Sequence, residues 1–155
     1  MTKKILWKET AAVASVALVI AGLPLLLWYW QAVISLRNYP LGTKVINLTA
    51  IAKDGIWTQD EVVGWNYWWR TPKRTEDIPL QLGDNVLLRL RSVDVLHSFA
   101  IPLLHVGPVE VPSGHTVELQ FRADRPGNLT FLCWQVCSPE HQNLRGRFMV
   151  TGEAR

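Results

Sequence analysis

This 155-residue chain has little cysteine, methionine or histidine: two, two and four residues respectively. Two cysteines cannot staple a small disulfide-dense scaffold. Charged residues make up only 19%, and the lysines and arginines are scattered rather than striped, which argues against nucleic acid as a partner. No Ser/His/Asp-type triad, phosphate-cradling glycine loop or pair of catalytic carboxylates stands out, so the chain by itself is not expected to make or break bonds. It has no internal repeat and no low-complexity stretch. At this length there is room for about one domain.

What is present in excess is apolar and aromatic: 48% hydrophobic residues and eight tryptophans. From Thr10 to Trp30 no residue is charged. About 20 apolar residues suffice to cross a bilayer as a helix. Lys3, Lys4 and Lys8 precede the run and predict an N-terminus on the cytoplasmic side, while Trp28, Tyr29 and Trp30 suit the opposite interface. A cleaved signal peptide is the competing reading. Its apolar stretch is usually about 7–15 residues, and no small-x-small cleavage pattern follows Trp30. The expected layout is a cytoplasmic N-terminus over 1–9, a transmembrane helix over 10–31 with a tolerated Pro24, a linker over 32–44 and a folded domain over 45–155.

Within that last segment the pattern switches to period two. Val45–Ile51 reads as a strand, as do the alternating stretches 86–91 and 116–121, and Leu129–Leu132 and Arg147–Val150 extend the series. Gly- and Pro-bearing turns at 82–85, 111–114 and 125–128 separate them. No segment beyond the linker carries a helical period. The prediction is a mainly β sandwich or barrel.

The chain's two cysteines fall together in Cys133-Trp134-Gln135-Val136-Cys137-Ser138-Pro139-Glu140-His141, and His97 lies upstream in Ser92-Val93-Asp94-Val95-Leu96-His97-Ser98-Phe99. Thiolate and imidazole suit copper, zinc or iron–sulfur centres. A structural zinc site would want a four-ligand set, commonly with a second cysteine pair, which is absent. A Cys133–Cys137 disulfide is the bland alternative; His97 and His141 weigh against it. His115 follows a turn and reads as solvated, and His105 as structural.

These motifs resemble subunit II of the haem-copper oxidases. The resemblance rests on Asp94–Pro102, on Arg125-Pro126-Gly127 and on Cys133-x₃-Cys137-x₃-His141-Gln142-Asn143. Details around Gln135 and His141 look closest to the B-type oxidases, and Arg145–Val150 is also similar to the CuA domain of nitrous oxide reductase. The resemblance implies a membrane-anchored Greek-key cupredoxin sandwich holding a dinuclear copper centre (CuA). Cys133 and Cys137 would bridge two coppers, His97 and His141 would each ligate one, and the Gln135 carbonyl would be a weak ligand. One position departs: where the family carries a methionine, this chain has Leu144. Loss of that weak thioether is expected to tune the potential rather than empty the site.

Further residues invite functional roles. The cluster Trp65-Asn66-Tyr67-Trp68-Trp69 matches a region where the family admits electrons through tryptophan, and Trp68 or Trp69 is the candidate; the plainer expectation is a core or interface cluster. Trp134, between the cysteines, is expected to shield the site from water. Glu9 stands where B-type relatives mark a proton entrance, although a glutamate near a helix start is favourable in any protein. Arg145 and Arg147 are candidates to meet haem propionates or acidic partner groups, or simply a solvated strand end. The function implied is electron entry: from cytochrome c or a small copper protein, through copper, to haem in a large membrane subunit I. The cupredoxin subunit of a nitric oxide reductase and a metal-free interaction subunit are the alternatives. A copper-delivery protein is disfavoured by the scarcity of methionine.

Overall fold

The computed structural model describes residues 2–37, 39–40, 42–64 and 66–152; side chains are described from residue 10 onward, excepting 11, 34–38, 41 and 65. The chain divides into two compact units, residues 1–41 and 42–155. The first is one helix, α1 (Thr2–Arg37), which contains Pro24 and extends beyond the uncharged run on both sides. Within it, Ala12–Val33 is long and apolar enough to cross a membrane. Its described side chains are almost all exposed.

The second unit is a two-sheet β sandwich. One sheet has the order β2–β1–β4–β7 and the other β3–β9–β8–β5–β6. The strands are β1 (Lys44–Ile51), β2 (Ile56–Thr58), β3 (Asp77–Gln81), β4 (Asn85–Ser92), β5 (His97–Ile101), β6 (Val106–Val111), β7 (Thr116–Arg122), β8 (Gly127–Cys133) and β9 (Arg145–Thr151). The period-two segments of the sequence all fall in strands. β3 also alternates, but over five residues only, whereas β2 is three residues long, β5 is buried at every position and β6 has no regular alternation. β1 runs parallel to β4 and β3 parallel to β9, so both sheets are mixed.

The alternation explains the layering. Ile46, Leu48, Val86, Leu88, Leu90 and Phe121 point inward from the first sheet and meet Ile78, Leu80, Phe99, Leu129, Phe131 and Phe148 of the second. Phe131 lies at the centre, stacked on Phe99 at 5.6 Å, tilted on Phe148 at 4.8 Å and edge-on to Trp57 at 6.5 Å. Fully burying rings of this size contributes roughly 2–3 kcal/mol each. β9 can approach this cluster because residue 146 is glycine: a Cβ there would overlap the Phe131 ring and stand 2.8 Å from the Thr75 carbonyl. The core thus holds the start of β5, the end of β8 and the start of β9 together at one end of the sandwich; His97 and Cys133 lie at the first two of these termini, and the loop joining β8 to β9 carries Cys137 and His141.

Candidate metal centre

His97 opens β5, Cys133 closes β8, and the loop between β8 and β9 supplies Cys137 and, on a 3-10 turn His141–Asn143, His141. The backbone fixes this loop. The Cys133 amide donates to the Leu144 carbonyl at 2.9 Å and the Trp134 amide to the Ser98 carbonyl at 2.9 Å. The Ser138 carbonyl receives the His141 amide at 3.1 Å.

The donor atoms form a run. His97 Nδ1 is 3.9 Å from Cys133 Sγ, Cys133 Sγ is 3.7 Å from Cys137 Sγ, and Cys137 Sγ is 3.9 Å from His141 Nδ1. The donors of His97, Cys133 and Cys137 all lie within 4.8 Å of one another, and His141 falls outside that set. The cysteines are free thiols; a disulfide would need about 2.05 Å between sulfurs. Two sulfurs each about 2.3 Å from a shared ion at a tetrahedral angle stand about 3.8 Å apart, so the observed pair fits a soft metal without rearrangement. The Gln135 carbonyl faces the same sulfur, accepting from the Cys133 thiol at 3.2 Å, and the Ser98 amide donates to that sulfur at 3.4 Å.

Electrostatics prepare the group unevenly. His97 is completely buried. Burial, the largest single influence, would lower its pKa, but the hydrogen bonds to Asp94 and Cys133 and the negative charges of both together outweigh it, and the imidazole is pushed up to about 9. Asp94 Oδ1 lies 3.0 Å from His97 Nε2, which leaves Nδ1 aimed at the sulfurs. Such a carboxylate fixes the ring orientation and tautomer of a metal-binding histidine. Burial also opposes charge on Asp94, yet bonds to His97 and to the Val95 and Ala52 amides hold its carboxyl below the usual range. Burial would raise Cys133, but hydrogen bonding from His97, the Ser98 amide, Cys137 and His141 brings it down to about 6. Cys137 is pushed up to about 11 by burial, then by its hydrogen bond with Cys133 and by that neighbour's negative charge. Negative charge on one sulfur therefore disfavours it on the other, because two adjacent thiolates repel. A bound cation would release the second proton.

Other expected residues stand elsewhere or act differently. Trp134 is 59% exposed and does not form a lid; the buried ring beside the site is Trp57, 6.1 Å from the His97 ring and donating through Nε1 to the Leu144 carbonyl at 3.2 Å. Leu144 is buried in the core, packed in the same cluster as Cys133. Trp68 and Trp69 are 77% and 67% exposed, so they are not core residues. Trp65 lies outside the described residues, as does the side chain of Glu9. Trp68 sits edge-on to Tyr67 at 5.5 Å, and the Tyr67 hydroxyl is 3.5 Å from Asp94 Oδ2. Burial, then the Asp94 and Asp54 charges, raise the Tyr67 pKa. His105 and His115 are exposed on turns away from this constellation. Arg147 pairs with Asp77 at 2.8 Å. Trp57 and the bracing role of Asp94 were not read from the sequence. An aspartate three residues before a candidate histidine ligand is the signal available for Asp94, and the Ile56-Trp57 pair after Gly55 for Trp57.

A cupredoxin-type sandwich with thiol and imidazole groups gathered at one end defines the class of protein. No family model matches the chain. Among curated proteins it is 32% identical over 87 residues to cytochrome c oxidase subunit 2 of Alkalihalophilus pseudofirmus, covering 52% of this chain and 25% of that one. It is 29% identical over 133 residues to the alternative cytochrome c oxidase subunit 2 of Bradyrhizobium diazoefficiens, covering 82% and 44%. With cytochrome c oxidase subunit 2 of Thermus thermophilus it shares 30% identity over 73 residues, covering 47% and 53%. The chain thus spans between a quarter and about half the length of these relatives. Its fold is similar to a chain of a heme-copper terminal oxidase dimer, with TM-score 0.53, 16% identity and coverage of 93% of this chain and 99% of that one. It is also similar to the periplasmic domain of subunit II of cytochrome oxidase of Bradyrhizobium japonicum, with TM-score 0.50, 20% identity and coverage of 72% and 86%. The resemblance to haem-copper oxidase subunit II seen in the motifs is borne out by these relatives.

Proposed function

We propose that this chain is the electron-entry subunit of a haem-copper terminal oxidase, taking electrons from cytochrome c or a small copper protein and passing them to haem in a large membrane subunit. The observation that carries the reading is the run of two imidazoles and two thiols with 3.7–3.9 Å spacings at one end of the sandwich. Cys133, Cys137, His97, His141 and the Gln135 carbonyl would hold a dinuclear copper centre, which would supply reversible one-electron transfer.

The protein's own groups keep that exchange cheap. Asp94 fixes the His97 ring, the Ser98 amide stabilises charge on Cys133, and Trp57 excludes water from beneath His97. Because these groups are locked by β-sheet packing, little of the protein has to reorganise when the charge changes. Exposed Trp68 and Trp69 are the proposed point of electron entry; Trp68 connects through Tyr67 and Asp94 to His97. Leu144 keeps apolar packing where the family resemblance implies a thioether, which leaves four strong donors. The apolar helix anchors the domain in the cytoplasmic membrane, with the N-terminus inside and the copper domain on the outer face. Glu9 would then stand near the inner interface, positioned to admit protons.

The test is copper loading of the full chain in detergent. Two coppers per chain and a paramagnetic spectrum with one electron shared by both are expected. One copper with a blue absorption, or no copper at all, would overturn the dinuclear reading.

A further inference from the structure

The turn Ala52–Gly55 between β1 and β2 is more than 80 residues from His141 in the sequence, yet it meets the 3-10 turn that carries His141 directly. Gly55 has φ +60, and a Cβ there would stand 2.7 Å from Glu140 Cβ, 2.8 Å from the Glu140 carbonyl oxygen and 3.1 Å from Asn143 Cβ. The Ser138 hydroxyl donates to the Ala52 carbonyl at 3.2 Å. Arg74 closes the junction: Nη1 donates to the Asn143 carbonyl at 2.6 Å and Nη2 to the Gly55 carbonyl at 3.1 Å. Asn143 ends the 3-10 turn, where carbonyls lack partners within the turn itself. One planar guanidinium thus grips both turns at once, a geometry that a lysine ammonium does not reproduce.

Two further arginines share the cleft of about 410 Å³ that Arg74 lines, with Glu76, Thr130 and Gly146. Arg147 pairs with Asp77, and Arg145 bonds to neither turn. The charge of the cleft and the grip on the His141 turn are therefore separable by mutation.

We propose that Arg74 is a positioning residue for the metal centre, pinning the His141 turn against the Gly55 turn and so setting where the His141 imidazole stands. This rests on the reading of His141 as a copper ligand. His97 gets its orientation from a carboxylate; His141 gets its from the backbone, and Arg74 holds that backbone in place.

The experiment compares full-length wild type, Arg74→Ala, Arg74→Lys and Arg145→Ala. In metal-free protein, amide hydrogen exchange of residues 141–144 should rise about tenfold in Arg74→Ala and less in Arg74→Lys, and should stay at the wild-type rate in Arg145→Ala. In copper-loaded protein, Arg74→Ala should lose about tenfold in copper affinity and alter the hyperfine pattern, as loss of an outer-shell partner does. Arg74→Lys should recover part of both, and Arg145→Ala neither lose nor change them. Unchanged exchange in Arg74→Ala, or equal effects of Arg74→Ala and Arg145→Ala, would overturn the proposal. Should Arg74→Ala not fold, full wild-type behaviour of Arg74→Lys in both measurements would overturn it as well. A wild-type chain that takes up no copper would sink the electron-entry reading, while the metal-free exchange still judges Arg74.

Discussion

The two halves of the candidate centre are built differently. His97 starts a strand, is completely buried, and is held by Asp94 on one side and Trp57 on the other. His141 sits half-buried on a single 3-10 turn and is held by backbone bonds and by the Arg74 grip. The sheet supplies one imidazole as part of the core; the loop supplies the other as an attachment to it. The His97 half should therefore be coupled to the stability of the whole sandwich, whereas the His141 half can change locally.

Substitution of the sulfur common to both halves should have the largest effect. Cys137→Ser is expected to abolish dinuclear copper binding, read by metal content and paramagnetic spectrum; retained paired copper would contradict the site. The comparison itself is sharpened by removing each imidazole in turn. His97→Ala should lower the stability of metal-free protein by about 3 kcal/mol, because it opens a cavity and strands the Asp94 carboxylate. His141→Ala should cost under about 1 kcal/mol. Urea unfolding of both variants checks this, and equal losses would break the distinction. Next comes Leu144→Met, a swap of similar volume expected to cost less than about 1.5 kcal/mol and to retain copper while moving the reduction potential. A copper-free Leu144→Met protein would show that the buried leucine shapes the site in another way. The smallest structural effect is expected for Trp68→Ala, within about 0.5 kcal/mol of wild type because the ring is exposed. Its electron uptake from a reduced donor should slow; an unchanged rate in both Trp68→Ala and Trp69→Ala would move the entry point elsewhere.

The comparison also separates what reads locally from what does not. Cys133, Cys137 and His141 lie within nine residues, so their common purpose is visible in spacing alone. The alternating segments became strands because the period-two pattern directly encodes one buried face. Trp134 shows the limit of that logic: adjacency to the cysteines suggested a shield, but the strand end turns its side chain to solvent. The buried ring comes instead from Trp57, whose Nε1 bond reaches a carbonyl 87 residues away. Likewise, the aromatic density around Trp68 suggested burial, yet the long loop between β2 and β3 carries Trp68 and Trp69 outward.

From its residues alone the chain specifies a helix apolar enough for a bilayer, a β domain after it, and a thiol–imidazole set of soft-metal chemistry, because composition, periodicity and short spacing are local properties. Tertiary structure alone decided that Asp94 aims His97, that Trp57 rather than Trp134 is buried beside it, and that Arg74 and Gly55 brace His141. Asp94 lies only three residues from His97, but the contacts of Trp57, Arg74 and Gly55 join segments 19 to 88 residues apart, and which distant carbonyl or ring arrives at a given place depends on how two twisted sheets close on a shared core.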